Sequence, residues 1–464
     1  MRTFTKIAVL LAVLLGCSAR DVTLAPPPNI YLSEENYPAD EIPAVLQTVA
    51  PPIFYVTDRA ALTDEAGQLT YSSQRSNSMA LGVARVRFGA QDWADLVART
   101  SQDGARRLSR LDVEDTTELV RFRDVPLPTR REDGKLMFEP DALERYEEDA
   151  RAFQKAIRDE IIRTGNGRVL VFTHGAANDF ERAMDTLANL WHYTGRESVP
   201  IAFTWPAGNS GLLGYFRDRE AGDFSVFHAK EFLRLLAEIE EVEDIDIVAH
   251  SRGTDVMSKS LRELVIYHRG QGVPPKTAMK TGTLILAAAD LDAGVVEQRL
   301  QAERFSEAFE QINIYINPED GALRLASYIT NAPRLGSATS DTLSVSQLEQ
   351  LKKAELVHFI RVENVIGRGH SYFRDNQAVL SDIALALRTR AFPGGVCGLW
   401  NWLMMGFGSC IPTIHWKGCQ SWPMSPAKIV DIGISKTSSM QRSFLQGGFC
   451  ILDRLRVGCF LAKT

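Results

Sequence analysis

The chain has 464 residues, 45% of them hydrophobic and 24% charged, enough apolar mass for one large α/β domain or two smaller ones. A net charge of -6 and a pI near 5.9 provide no broad basic field, and no dense run of lysine or arginine occurs, so nucleic acid is not an expected partner. Of the six cysteines, all but Cys17 lie in the tail, at Cys397, Cys410, Cys419, Cys450 and Cys459. Five is an odd number for a disulfide framework and none of the spacings suggests a zinc site; no metal and no cofactor are expected.

In chain order, Arg2 and Lys6 give a positive start, Ile7 to Leu15 an apolar core too short to span a bilayer, and Leu14-Leu15-Gly16-Cys17 a cleavage site ending in cysteine. This resembles a bacterial lipoprotein signal, with residues 1–16 removed and Cys17 carrying the lipid. Ser18 after the cysteine, rather than Asp, fits export to the outer membrane, facing the periplasm. Several acyl chains on one residue anchor stably where a single chain binds only marginally. Residues 17–52, rich in proline and polar groups, read as a tether.

The body is expected over residues 53–391. Ile53–Val56 and Gly82–Phe88 alternate β-branched or aromatic residues with polar ones and predict two leading strands, with a polar turn around Arg75 between them. Leu143, Tyr146, Ala150, Phe153, Ile157 and Ile161 recur at steps of three and four and predict an amphipathic helix ending at Gly165 and Gly167. Strands and helices then alternate: strands at Val169–Thr173, Ile201–Thr204, Ile245–Val248, Thr283–Ala288, Ile312–Ile316 and Val357–Val362, with helices at Phe180–His192, Val226–Ile239 and Thr254–His268. Near-continuous apolar strands separated by helical periods predict a mostly parallel central sheet covered on both faces. The segment Gly208–Ser225, with Leu212, Leu213, Tyr215 and Phe216, follows a strand end and suits either a pocket wall or lid, or an ordinary aromatic cluster. From Phe392 to Thr464 there is no glutamate, only Asp431 and Asp453 as acids, and four of the seven tryptophans. Residues 392–464 read either as a small appended module or as a stretch outside the selected fold, as a shifted reading frame would produce.

The strand Asp244–Val248 runs into Ala249-His250-Ser251-Arg252-Gly253 and then a helical period. A serine on so sharp a strand-to-helix turn presents its hydroxyl, and small residues two before and two after it prevent collision; Ala249 and Gly253 meet that need. Serine is a weak nucleophile until a base takes its proton, and that base needs an orienting acid. With the chain order Ser, acid, His, the acid falls at Asp320, after the second strand beyond Ser251, with Glu319 and Asp290 as alternatives and Asp292 more remote. His370, in the loop Gly367-Arg368-Gly369-His370-Ser371 after the last strand, is the base. His192, His228 and His268 fall in helices, His358 in a strand and His415 in the tail, while His250 should point to the other side of the turn and serve packing. The turn His174-Gly175-Ala176 after Val169–Thr173 offers one oxyanion donor, the backbone N–H of Ala176, and the backbone N–H of Arg252 offers the other.

Phe172-Thr173-His174-Gly175, Phe203-Thr204-Trp205-Pro206, Leu213-Gly214-Tyr215-Phe216-Arg217-Asp218 and Ala249-His250-Ser251-Arg252-Gly253 together resemble a bacterial family of α/β-hydrolases of undefined biological role. Phe54-Tyr55-Val56-Thr57-Asp58-Arg59, Arg75-Ser76, Tyr315–Leu325 and Gly369-His370 fit as well, a coverage of roughly residues 50 to 390. The resemblance implies an α/β-hydrolase fold and a Ser251, Asp320, His370 triad, and no substrate.

Two functions compete, with a third behind them. One is a lipid-anchored serine hydrolase of the cell envelope, cleaving an ester, thioester or amide of a small or lipid-like acyl substrate through an acyl-enzyme. The other is an inactive hydrolase fold serving as a binding or scaffold lipoprotein, since folds outlive their chemistry. A lyase or peroxidase on the same scaffold is a third.

Overall fold

The structure, a computed structural model, describes residues 23–32, 37–101, 110–339, 356–363, 369–392, 400–405, 409–414, 449–453 and 456–460. Contacts divide the chain into a unit up to Trp422 and one from Pro423. The strands of the first unit are β1 (Pro52–Thr63), β2 (Leu69–Phe88), β3 (Leu111–Arg121), β4 (Thr129–Glu132), β5 (Lys135–Phe138), β6 (Arg168–Thr173), β7 (Val199–Thr204), β8 (Asp244–His250), β9 (Thr281–Ala287), β10 (Gln311–Ile316), β11 (Val357–Val362), β12 (Trp400–Met405) and β13 (Ser409–Ile414). The second unit contains the antiparallel hairpin Phe449–Asp453 with Arg456–Phe460.

Eleven of these strands form one sheet in the order β12-β13-β11-β10-β9-β8-β6-β7-β1-β2-β3. From β11 to β1 every pairing is parallel, so all these strands end on one edge, where loops can converge. Side chains alternate across the sheet. Leu170 and Phe172 of β6 enter one apolar cluster while Val169 and Val171 enter the other, as the two-residue period of a strand requires.

Helices cover both faces, as the apolar strands predict. Among them are α1 (Trp93–Thr100), α2 (Pro140–Thr164), α3 (Phe180–Tyr193), α4 (Gly211–Ala237), α5 (Gly253–Gly270), α6 (Gly321–Thr330) and α7 (Gln377–Thr389). α2, α4 and α5 supply one cluster through Phe153, Phe232 and Leu261. α3 and α7 supply the other through Met184, Trp191 and Ile383.

Several expectations need correcting. Residues 23–32 and 37–52 are not a free tether: Leu24, Tyr31, Tyr37, Ile42 and Leu46 are buried in the cluster beneath α3. The proline-rich composition hid a handful of large apolar side chains that found a core. Arg75 is in a strand, not a turn, and pairs with Arg59. The turn lies earlier, where Asp64 accepts the N–H groups of Ala66 and Gln68 at 2.9 and 2.8 Å. The helix expected from Val226 begins at Gly211, which absorbs most of the segment read as a loop. β12 and β13 lie beyond the Phe392 boundary, yet β13 pairs with β11 through Arg361↔Thr413 and Val362↔Ile414. The signal segment, Cys17, Gly367, Arg368, Cys397, His415 and Cys419 lie outside the described residues.

Candidate active site

Ser251 stands between β8 and α5 with φ at 51°, the left-handed region that side chains other than glycine seldom occupy. The turn is held on every side. The Ser251 N–H donates to the Ala287 carbonyl at 3.0 Å, and its own carbonyl accepts the N–H of Thr254 at 3.1 Å and of Asp290 at 3.3 Å and the hydroxyl of Thr254 at 2.7 Å. Close backbone approach explains the small residues around it. A Cβ at Gly253 would lie 2.3 Å from the His174 carbonyl oxygen, and one at Gly175 would lie 2.7 Å from Ser251 Cβ and 3.2 Å from its Oγ.

The loop after β10 places Asp320 at the N-cap of α6, fully buried. Its Oδ1 accepts the N–H groups of Ala322 and Leu323 at 3.0 and 3.1 Å, which keeps it an acceptor and satisfies a helix start. Its Oδ2 lies 2.8 Å from His370 Nδ1. A carboxylate oxygen only accepts, so Nδ1 carries the proton and Nε2 is left with a lone pair. That Nε2 sits 2.8 Å from Ser251 Oγ. Of the candidate acids, therefore, Asp320 meets the histidine. The Glu319 N–H is bound to Asn317 Oδ1 at 3.0 Å, and Asp292 caps a short turn through Gly294 and Val295.

Burial pulls the His370 imidazole towards its neutral form, but the adjacent Asp320 carboxylate, its hydrogen bond and the more distant Asp290 outweigh this and leave the pKa above 6.5. Two neighbours fix the backbone of this loop. Asn317 Nδ2 donates to the Gly369 carbonyl at 2.9 Å, and His250 Nε2 donates to the His370 carbonyl at 3.0 Å. His250 is also stacked on Phe373 with ring centroids 4.5 Å apart, and burial holds its pKa well below the usual value. Sequence reading assigned it to packing; its hold on residue 370 was missed, and the signal available was its adjacency to the serine.

His174 is engaged elsewhere, its Nδ1 donating to the Gly175 carbonyl at 2.8 Å and its Nε2 accepting from Arg59 at 3.2 Å. Burial first, and then the Arg59 guanidinium, push its pKa down to about 3, and its ring lies flat on Trp205 at 5.2 Å. His228 pairs instead with Asp58 at 3.0 Å. Asp290, the alternative acid, is buried but engaged elsewhere: its Oδ2 accepts the Tyr215 hydroxyl at 2.8 Å, and its carboxylate lies 3.2 Å from Arg334 Nε and 3.9 Å from Arg252 Nη1. Arg252 Nη2 also donates to Asp255 at 2.7 Å. Ala176 and Arg252 lie at the end of β6 and the start of α5, and neither main-chain N–H takes part in the turn hydrogen bonds of the described residues. Among the described residues, no three His, Cys, Asp or Glu side chains gather as a metal site would need.

A parallel sheet whose strands end together beneath a serine on a left-handed strand-to-helix turn is the architecture of the α/β-hydrolases. The chain belongs to the family described as "Alpha/beta hydrolase of unknown function (DUF900)", whose match spans residues 149–390, slightly over half of its length. The match begins later than the resemblance suggested, leaving Phe54–Arg59 and Arg75-Ser76 outside it. No curated protein matches the chain.

Proposed function

We propose that the protein is a serine hydrolase that cleaves an ester, thioester or amide through an acyl-enzyme on Ser251. The observation that carries this reading is the continuous Ser251–His370–Asp320 relay, with both contacts at 2.8 Å. In the first step Ser251 Oγ bonds to the substrate carbonyl carbon as its proton passes to His370 Nε2. Asp320 holds the ring in the required tautomer and balances the imidazolium that forms. The backbone N–H groups of Ala176 and Arg252 receive the developing oxyanion, a role in which preorganised donors are usually the largest catalytic contribution. The imidazolium then protonates the leaving group as the carbonyl bond to it breaks. A water, deprotonated by the same ring, releases the acid and restores the serine.

The test is turnover of p-nitrophenyl acetate by wild type and by Ser251→Ala. The variant is expected to lose at least about 10⁴-fold in kcat with an unchanged circular dichroism spectrum. Equal turnover by the two would remove Ser251 from the mechanism.

The location we infer is the bacterial outer membrane facing the periplasm, through lipid on Cys17. Among the described residues no helix is long and apolar enough to cross a membrane. Metabolic labelling with an alkynyl fatty acid should mark wild type and leave Cys17→Ser unmarked; labelling of both would sink the assignment.

A further inference from the structure

A cavity of about 410 Å³ lies between α4, α5 and the segment that follows β9, within the size range of small-molecule sites. Its lining contains none of Ser251, Asp320 or His370, but two of its residues adjoin partners of the serine turn. Leu291 is one of them, and it follows Asp290, whose N–H donates to the Ser251 carbonyl at 3.3 Å. Asp255 is the other, and it holds the guanidinium of Arg252 at 2.7 Å. From there the lining follows one face of α5 through Lys259 and Arg262 to Glu263, about two turns or roughly 12 Å of helix. The result is a trough leading away from the serine.

Its chemistry is mainly that of carbon. Val226 and Phe227 of α4 line it, together with Leu291, Val296 and Leu300. The charged heads on the α5 wall are already engaged: Lys259 lies between Asp223 and Asp255, and Arg262 bonds Glu303. Tied in this way, these two side chains offer their methylene stems to an occupant. Such a trough rewards an unbranched chain.

We propose that this trough is the acyl-chain subsite, and that the substrate is an ester or thioester of an unbranched acyl chain several carbons long. The inference rests on the acyl-enzyme reading of Ser251 and adds the acid component to it. Each methylene buried there is expected to raise kcat/KM about fourfold until the trough is full.

The experiment is a series of p-nitrophenyl esters from acetate to dodecanoate with wild type, Val296→Trp and Leu300→Trp, both variants being at partly exposed positions and checked for an unchanged melting temperature. Wild type should favour the longer esters, and the tryptophan variants should lose at least about tenfold on octanoate while acetate turnover stays within about twofold. Flat chain-length dependence in wild type, or an equal loss on acetate and octanoate in both variants, overturns the subsite and leaves the serine mechanism standing. Calorimetric titration of dodecanoate into Ser251→Ala separates the two ideas. Binding that Leu300→Trp abolishes supports the trough even if no ester is turned over, whereas absence of binding counts against it.

Discussion

The left-handed φ of Ser251, 51°, stores on the order of 1–3 kcal/mol of strain that the surrounding hydrogen bonds must offset. The neighbouring Gly175 sets the clearance for the Ser251 side chain. Gly175→Ala places a methyl group 2.7 Å from Ser251 Cβ, so we expect the hydroxyl to shift away from His370 and kcat to fall by about 10²-fold, the scale of a 1 Å misplacement; unchanged kcat would show that the loop yields freely. The pH dependence follows from His370. In the proposed mechanism only its neutral ring can take the serine proton, and its pKa is raised above 6.5 by Asp320 against the opposing effect of burial. The rate should therefore fall as pH drops, with a midpoint of kcat/KM above 6.5. Asp320→Asn removes the charge that raises this pKa, so the midpoint should move down while kcat drops about 10⁴-fold; a midpoint that stays in place would assign the limb to another group. That Ser251, Asp320 and His370 would meet could be expected from the sequence because chain order restricts the search to strand ends. The hold of His250 on the His370 carbonyl could not, since it depends on the fold bringing residues 120 positions apart together.

Tyr215 joins two elements. Its hydroxyl runs from the first turns of α4 to Asp290, just after β9, and Asp290 also contacts Arg334 and Arg252. Loss of one buried hydrogen bond to a carboxylate costs about 1.5–3 kcal/mol. Tyr215→Phe should lose that much in urea unfolding while p-nitrophenyl acetate remains a substrate; an unaltered midpoint would show that the contact contributes nothing. The start of α4 was hard to read because Gly208, Gly211 and Gly214 punctuate it, and because Leu212, Leu213 and Phe216 are exposed rather than gathered on a buried stripe. β3 escaped for a different reason. It carries Asp112, Glu114, Asp115 and Glu118 along a sheet edge, where charge discourages pairing with another chain and resembles a polar loop in sequence. The parallel strands were the easiest elements to recognise, since burial on both faces leaves no polar interruption.

At the scale of the molecule, residues 23–32 and 37–51 belong to the folded body. Tyr31 donates to the Tyr193 carbonyl at 2.8 Å and Tyr37 to the His192 carbonyl at 2.9 Å. Arg196, buried at 0% exposure, donates to the carbonyls of Leu46 and Thr48 at 2.6 and 2.8 Å and lies over the Trp93 ring at 4.7 Å. A chain begun at Ile53 would take these acceptors from the guanidinium and uncover the apolar side chains against which Leu24, Tyr31, Tyr37, Ile42 and Leu46 pack, a loss of buried apolar surface that lowers stability. We expect it to melt well below a chain begun at Arg20, by circular dichroism; equal melting temperatures would return the segment to the status of a tether. The sequence showed the class of fold and the edge on which chemistry would gather, but not this packing, because isolated tyrosines in a proline-rich stretch acquire meaning only when α3 is opposite them.

The most direct measurement is peptide mapping by tandem mass spectrometry after treating the folded protein with a fluorophosphonate. A single adduct on the hydroxyl of Ser251, lost in His370→Ala, is the expected result. A folded protein in which Ser251 stays unmodified, or in which the adduct forms equally well without the imidazole, would contradict the acyl-enzyme mechanism.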